Sequence, residues 1–445
     1  MVGSTWEGLE RHNKASALAQ ALRPAVAVFV LDGCRPDYLT RTKTRTISLM
    51  AEEGVVVHDC RTVFPSLTSP SHTTLVTGLY PRKHGIATGF RLSCDGRHTE
   101  EIPMMSYNGR SIAELAKPSG FITGSVEEFA LFTRGADLYV HVPSHGVDEV
   151  LKFTRLAIDA KRPRLLYVVF FAVDDAGHLS GPRSNKVDRV IKEIDDALAQ
   201  IIGAFEKVNQ TAKPMYVLTS DHGMTSISHD ISGELDAAVD RVREGIPTRF
   251  LGRIAQVFPR DESEKMEVVR SISGVRGVDA ILEADELRAL NSAGEHEPWV
   301  IASLSSGYSC FQGEARRMRG HHGGLEEEET RVPLLLYAPG GRPERLPFAE
   351  TVNVAPTVAA NIGLPAVDFD GGPLVRSSKS TRRSGDELKR HLTGAERSYR
   401  KCVELVRTSS RLKKEWASGA LSDREFSTES RSAARALREA SLRRA

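Results

Sequence analysis

Seven side chains in this sequence could together bind metal ions and use them: Asp32, Thr68, Asp174, His178, Asp221, His222 and His322. Three carboxylates and three imidazoles make an N/O ligand set suited to zinc or another borderline divalent ion. With the Thr68 hydroxyl added, they can fill two adjacent sites. Their frames are Leu31-Asp32-Gly33, Asp174-Asp175-Ala176-Gly177-His178, Ser220-Asp221-His222-Gly223-Met224 and Gly320-His321-His322-Gly323-Gly324. Asp174 and His178 stand at i and i+4 across a turn, so a carboxylate and an imidazole can converge on one ion. Asp221 and His222 are consecutive where the chain leaves an apolar run. Thr68 lies in Phe64-Pro65-Ser66-Leu67-Thr68-Ser69-Pro70, and Pro70 suits the first turn of a helix running to Thr77. That puts Thr68 at a helix N-terminus, where free N–H groups and the helix dipole favour a phosphate. A hydroxyl is a weak nucleophile at its ordinary pKa, and metal coordination lowers that pKa.

Each frame alone also describes a turn former, a helix cap or a solvated histidine pair. The metal reading rests on their joint occurrence at strand ends. Asp175 reads as a solvated or supporting carboxylate, and His321 as a neighbour of the ligand His322. His72 and His84 read as structural groups bonded within their own turns, and Cys34 as a small packed thiol.

The elements that must position these residues are short apolar runs. Ala25 to Leu31 leads into Asp32, Leu165 to Val173 into Asp174, and Met215 to Ser220 into Asp221, with Val332 to Tyr337 as a fourth. Runs of this length without alternation read as strands buried on both faces, as in a parallel sheet covered by helices. Asn185 to Phe205 carries apolar residues at helical spacing. Alternating strand and helix predicts an open α/β sheet whose ligands sit outside the carboxyl ends of the strands. The organisation expected is a lead over 1–24, a catalytic core over 25–230 and 310–380, a small α+β cap insertion over 231–309, and a basic helical tail over 381–445.

The 445 residues carry 60 Lys+Arg against 58 Asp+Glu. The tail has 17 basic and 9 acidic residues, a net of +8, and the rest of the chain a net of −6. Such a tail could meet an anionic surface. Its dilution by carboxylates and its few aromatics argue instead against nucleic acid and for a solvated helix or a homo-oligomer contact. Five cysteines without CxxC spacing indicate neither a zinc ribbon nor a disulfide framework. No apolar stretch matches a signal peptide or a membrane span, so the expectation is a cytoplasmic protein without membrane partners.

In order along the chain, Leu-Asp-Gly, Phe-Pro-Ser-Leu-Thr-x-Pro-x-His, Thr-Gly-Leu-Tyr-Pro-x-x-His-Gly-Ile (Thr77 to Ile86), Asp-x-x-Gly-His, Ser-Asp-His-Gly-Met and His-Gly closely resemble the alkaline phosphatase superfamily. The branch resembled is that of nucleotide pyrophosphatase/phosphodiesterases and phosphonoacetate hydrolases. The resemblance covers about Ala25 to Leu374. It implies a three-layer α/β sandwich with a mostly parallel central sheet and two divalent ions, taken as zinc. Asp174, His178 and His322 would hold one ion; Asp32, Thr68, Asp221 and His222 would hold the other. It also implies hydrolysis of a phosphodiester or nucleotide pyrophosphate bond by attack of Thr68, a phosphothreonine intermediate, and a small phosphorylated substrate with nucleotides among the candidates. Phosphonate C–P cleavage, phosphomonoester hydrolysis and an inert metal-bound binding protein remain as alternatives. Where the branch has an Asn after His-Gly-Ile to hold a phosphoryl oxygen, this chain reads Ala87-Thr88-Gly89, with Thr88 or a backbone N–H as the candidate substitute.

Overall fold

The computed structural model describes residues 24–292, 299–311, 318–365, 367–374 and 382–444. Apart from residue 24, the expected lead lies outside the described residues.

The main sheet is organised around Val26–Leu31, which lies between Leu165–Phe170 and Met215–Thr219 and is parallel to both. All three strands are buried along their whole length, as their unbroken apolar sequences require. Thr123–Val126 and Leu138–Val140 continue the parallel order beyond Leu165–Phe170. On the other side the direction changes. The fourth apolar run forms Leu334–Tyr337, antiparallel to both Met215–Thr219 and Val55–Arg61.

Alternate residues of the first strand feed two cores. Val26, Val28 and Val30 pack with Leu75, Ile112 and Val358 on one face. Ala27, Phe29 and Leu31 pack with Ile158, Ile191 and Leu198 on the other. Helices on both faces of one sheet give the three-layer α/β sandwich, and all three parallel strands end at the same edge. Asp32 and Asp221 leave that edge directly, and Asp174 follows on the helix Ala172–Ser180.

A second sheet, of seven strands among the described residues, carries the cap. It contains Thr248–Gly252, Ile254–Val257, Val278–Leu282 and Val300–Leu304, backed by the helix Glu262–Ser273. It also recruits Thr225–Asp230 and Gly320–His321, so the sheet reaches past the 231–309 interval on both sides. Two helices, Arg382–Ala417 and Asp423–Arg444, form a C-terminal hairpin. Leu412, Trp416 and Phe426 of the hairpin pack into the cap core. Cys402, Val406 and Leu437 pack with Phe64, Ile301 and Leu325. Among the described residues no helix is long and apolar enough to cross a membrane, and the five cysteines are free thiols.

Candidate active site

The strand ends bring the sequence-predicted ligands into two groups. Ligand atoms of Asp32, Asp221 and His222 lie within 4.8 Å of one another, as do those of Asp174, His178 and His322. The groups adjoin: the His222 and His322 rings stack at 3.5 Å between centroids. Thr68 is the first residue of the helix Thr68–Thr77, whose N-terminus has no side-chain cap. Its Oγ1 lies 3.2 Å from His222 Nε2, which places the hydroxyl on the Asp32 group.

Local sequence explains the approach. Gly33 has φ +69°, and a Cβ there would lie 2.7 Å from Asp174 Oδ1. The glycine after Asp32 therefore lets two ligand-bearing segments touch. Asp174 and His178 are joined by a full helical turn rather than a loop, with His178 Nε2 3.0 Å from Asp174 Oδ2.

Each of the three histidines is oriented by a backbone carbonyl. His178 Nδ1 donates to Gly320 O at 2.8 Å, His322 Nδ1 to Ser66 O at 2.9 Å, and His222 Nδ1 to Gly223 O at 3.0 Å. A carbonyl can only accept, so the proton sits on Nδ1 and the Nε2 lone pair faces the carboxylates. Opposite them, Asp32 Oδ1, Asp174 Oδ1 and Asp221 Oδ2 are buried and have no hydrogen-bond partner among the described residues. Buried carboxylate oxygens without donors are costly. With the Nε2 atoms of these imidazoles, which become lone-pair donors once any proton there is released, they form a donor set that fits a divalent cation at each group.

The titration behaviour follows from this crowding. Burial, and then the charge of Asp221, holds the Asp32 carboxyl well above the usual carboxylate range. Burial also raises Asp174, but the His178 charge and hydrogen bond outweigh it and leave that carboxyl low. Burial, reinforced by the neighbouring imidazoles, pushes His322 well below an ordinary histidine. A neutral His322 is the form able to ligate.

Three further residues differ from or refine the sequence reading. His72 does not merely bond within its turn. It is fully buried, with Nδ1 2.8 Å from Glu128 Oε2 and Nε2 3.3 Å from Asp32 Oδ2. Burial lowers it, yet Glu128 and Asp32 together raise it well above an ordinary imidazole. Glu128 comes from a segment 56 residues away, so nothing near His72 in the sequence signals this role. Thr88 is not among the contacts of either ligand group. Its single hydroxyl proton goes to Gln256 Oε1 at 2.7 Å, the shorter contact, with Phe90 O at 3.2 Å beside it. Asp175 pairs with His145 Nδ1 at 2.7 Å, half-exposed beside the ligands.

The family model described as type I phosphodiesterase / nucleotide pyrophosphatase matches residues 26–106 and 121–323. The chain belongs to this family. Those matched residues hold the Asp32, Thr68, Asp174, His178, Asp221, His222 and His322 positions. A phosphodiesterase-family relative, the bis(5'-adenosyl)-triphosphatase of Xenopus laevis, is 28% identical over 368 residues, covering 78% of this chain and 80% of its own. Human ectonucleotide pyrophosphatase/phosphodiesterase family member 5 is 29% identical over 235 residues, and the chain spans about half of that relative, 48%. A solved structure of the murine member 5, an inactive form in complex with AMP, shares the fold at a TM-score of 0.64 and 20% identity, over 78% of this chain and 97% of that one.

Proposed function

We propose that this phosphodiesterase-family chain hydrolyses phosphodiester or nucleotide pyrophosphate bonds, with Thr68 as nucleophile. The observation that carries the reading is the Thr68 hydroxyl, 3.2 Å from His222 Nε2 at an uncapped helix N-terminus and beside the unpartnered carboxylate oxygens. Asp32, Asp221, His222 and Thr68 would hold one divalent ion, and Asp174, His178 and His322 a second, with zinc the choice that best suits these donors. Bound there, such ions supply Lewis acidity and a lowered hydroxyl pKa.

The residues of the chain do the rest. Thr68 Oγ gives its proton to solvent water and attacks phosphorus; the P–O bond to the leaving alcohol or phosphate breaks opposite it, and the leaving oxygen takes a proton back from water. First-turn N–H groups of the Thr68 helix receive the phosphoryl oxygens. They stand in for the absent Asn, since the Thr88 hydroxyl is committed to Gln256. Water then cleaves the Thr68–phosphoryl bond, releasing a monoester and restoring the hydroxyl. A nucleotide is the substrate class in best accord with the names of the relatives.

The test uses full-length protein loaded with zinc. Thr68→Ala is expected to lower bis-p-nitrophenyl phosphate hydrolysis by about a thousandfold or more, as loss of a nucleophile does. An unchanged rate removes Thr68 from this role. A panel of dinucleoside polyphosphates, nucleotide sugars, phosphomonoesters and phosphonoacetate should favour the first two classes. Preference for phosphonoacetate or a monoester would overturn the substrate assignment.

A further inference from the structure

We propose that His322 is held in ligating position by a clamp with two arms, Ser66 from the nucleophile loop and the ion pair of Glu329 with Arg253 of the cap, making Ser66 and Arg253 positioning residues for the second metal group. The inference rests on the two-metal reading above and adds the residues that set one site.

Ser66 lies two residues before Thr68, is fully buried, and bonds to the His322 loop at three points. Its carbonyl accepts from His322 Nδ1 at 2.9 Å, its Oγ donates to Gly324 O at 2.9 Å, and the same Oγ accepts from Gly323 N at 3.1 Å. One serine thus fixes both the ring and the backbone behind it. From the other side, Glu329 Oε1 accepts from Gly324 N at 3.3 Å. Arg253 fixes that carboxylate with Nε at 2.9 Å and Nη2 at 3.4 Å.

Arg253 belongs to the cap, in the turn between its strands Thr248–Gly252 and Ile254–Val257. It is completely buried, and its remaining N–H groups donate to the carbonyls of Leu304, Ser305 and Tyr308. A guanidinium anchored to three cap carbonyls cannot swing, so Glu329, and through it the ligand loop, is referenced to the cap sheet. The neighbouring Gly252 leaves room for the same loop: a Cβ there would lie 2.0 Å from the His321 ring. The Glu329 carbonyl also accepts from Gly223 N at 2.7 Å, beside His222. Among the described residues, however, the Ser66 hydroxyl and the Arg253 guanidinium bond only to the His322 loop, Glu329 and cap carbonyls, so losing either side chain falls first on the His322 group.

Metal-stripped full-length protein titrated calorimetrically with zinc chloride tests this. Wild type should take up two equivalents, and failure there would sink the two-metal reading itself rather than the clamp. His322→Gln marks which equivalent belongs to the second group. Ser66→Ala and Arg253→Lys should keep the other equivalent at wild-type affinity and weaken the marked one by about 10–100-fold, the usual effect of losing a partner of a metal ligand. Arg253→Lys keeps the charge but loses the fork, and it carries the test alone if Ser66→Ala does not fold. Wild-type affinity for both equivalents, or equal weakening of both, overturns the proposal. So does a lowered unfolding temperature of the metal-free variants with zinc affinities unchanged, which is the result of a merely structural role.

Discussion

Two histidines near the nucleophile, His72 and His84, show how much a single residue's chemistry depends on distant partners. His84 fits what its local sequence predicts: it is fully buried, accepts from Ile86 N on Nδ1 at 3.1 Å, and has Thr74 Oγ1 3.0 Å from Nε2. Burial pushes its imidazole down to about 3. Above pH about 6.5 neither the folded nor the unfolded chain protonates this group. As pH falls from there toward 3, the unfolded chain takes a proton that the folded one refuses, so stability falls with pH across that window. His321, likewise pushed to about 3, and His322 act in the same direction. His72, raised by Glu128 and Asp32, contributes stability that is complete below pH about 6.5 and is lost only at higher pH. Its window does not overlap that of His84. In metal-free protein these histidines should therefore pull the denaturant midpoint down between pH about 6.5 and about 4.5, against the opposite pull of the raised Asp32 carboxyl. His84→Gln should reduce the slope by up to about 1.4 kcal/mol per pH unit, one proton's worth. An unchanged slope would show that His84 is not among the titrating groups. The contrast also explains what could be read in advance: the partners of His84 are close in sequence, whereas Glu128 and Asp32 reach His72 only through the sheet.

The catalytic edge and the C-terminal hairpin differ at the level of elements. Strands ending in Asp32 and Asp221 announce themselves because both faces of a parallel strand must be apolar, so the first polar residue marks the edge. The hairpin is less legible, since a lysine in a basic, weakly amphipathic helix looks solvated. Lys413 is instead buried, with Nζ 2.9 Å from Glu286 Oε1, 2.8 Å from Glu283 Oε2 and donating to Ile281 O at 3.0 Å. Burial lowers Lys413, but the two carboxylates outweigh it and raise it above an ordinary lysine. Burial raises Glu286, but Lys413 and Ser409 outweigh it and leave it low. The contribution of Glu286 is therefore present above pH about 4.5 and lost below it, and that of Lys413 is present below pH about 10.5 and lost above it. The Lys413–Glu286 pair is whole between those limits. Lys413→Met at pH 7 strands Glu286 as a buried charge and should cost about 3–5 kcal/mol in denaturant unfolding. Adding Glu286→Leu should recover much of that loss, because the stranded charge goes with it. A single variant within about 0.5 kcal/mol of wild type, the ordinary range for surface substitutions, would mean that the ammonium is solvated.

For the whole molecule, the division between an acidic body and a +8 tail becomes a packing relation. The hairpin's cations meet the body's carboxylates: Arg400 lies 3.0 Å from Asp59, Lys389 3.2 Å from Glu344 and Arg438 3.0 Å from Asp285. Those pairs include exposed members and contribute little each; apolar burial contributes more. Leu392 joins the core around the first strand, Cys402, Val406 and Leu437 join the cluster containing Phe64, and Leu412, Trp416 and Phe426 join the cap core. Trp416 and Phe426, one on each helix, stack at 4.5 Å. Each fully buried large apolar side chain is worth about 1.5–3 kcal/mol, and domains are stable by only about 5–15 kcal/mol in total. Removing the hairpin opens the buried clusters it completes, which hold Ile272 and Ile281 with Leu412 and Trp416, and Leu290 with Val406 and Leu437, and leaves apolar surface of the kind that drives aggregation. A chain ending at Leu374 should therefore be recovered mainly as aggregate, or unfold far below the full-length protein in a thermal melt, with or without zinc. A soluble truncated monomer with an unfolding temperature within a few degrees of the full chain would show instead that core and cap are self-sufficient. The small contribution of the exposed ion pairs is checked separately: full-length protein moved from about 50 mM to about 1 M salt should change little in stability, because Lys413 and the apolar contacts lie out of reach of screening.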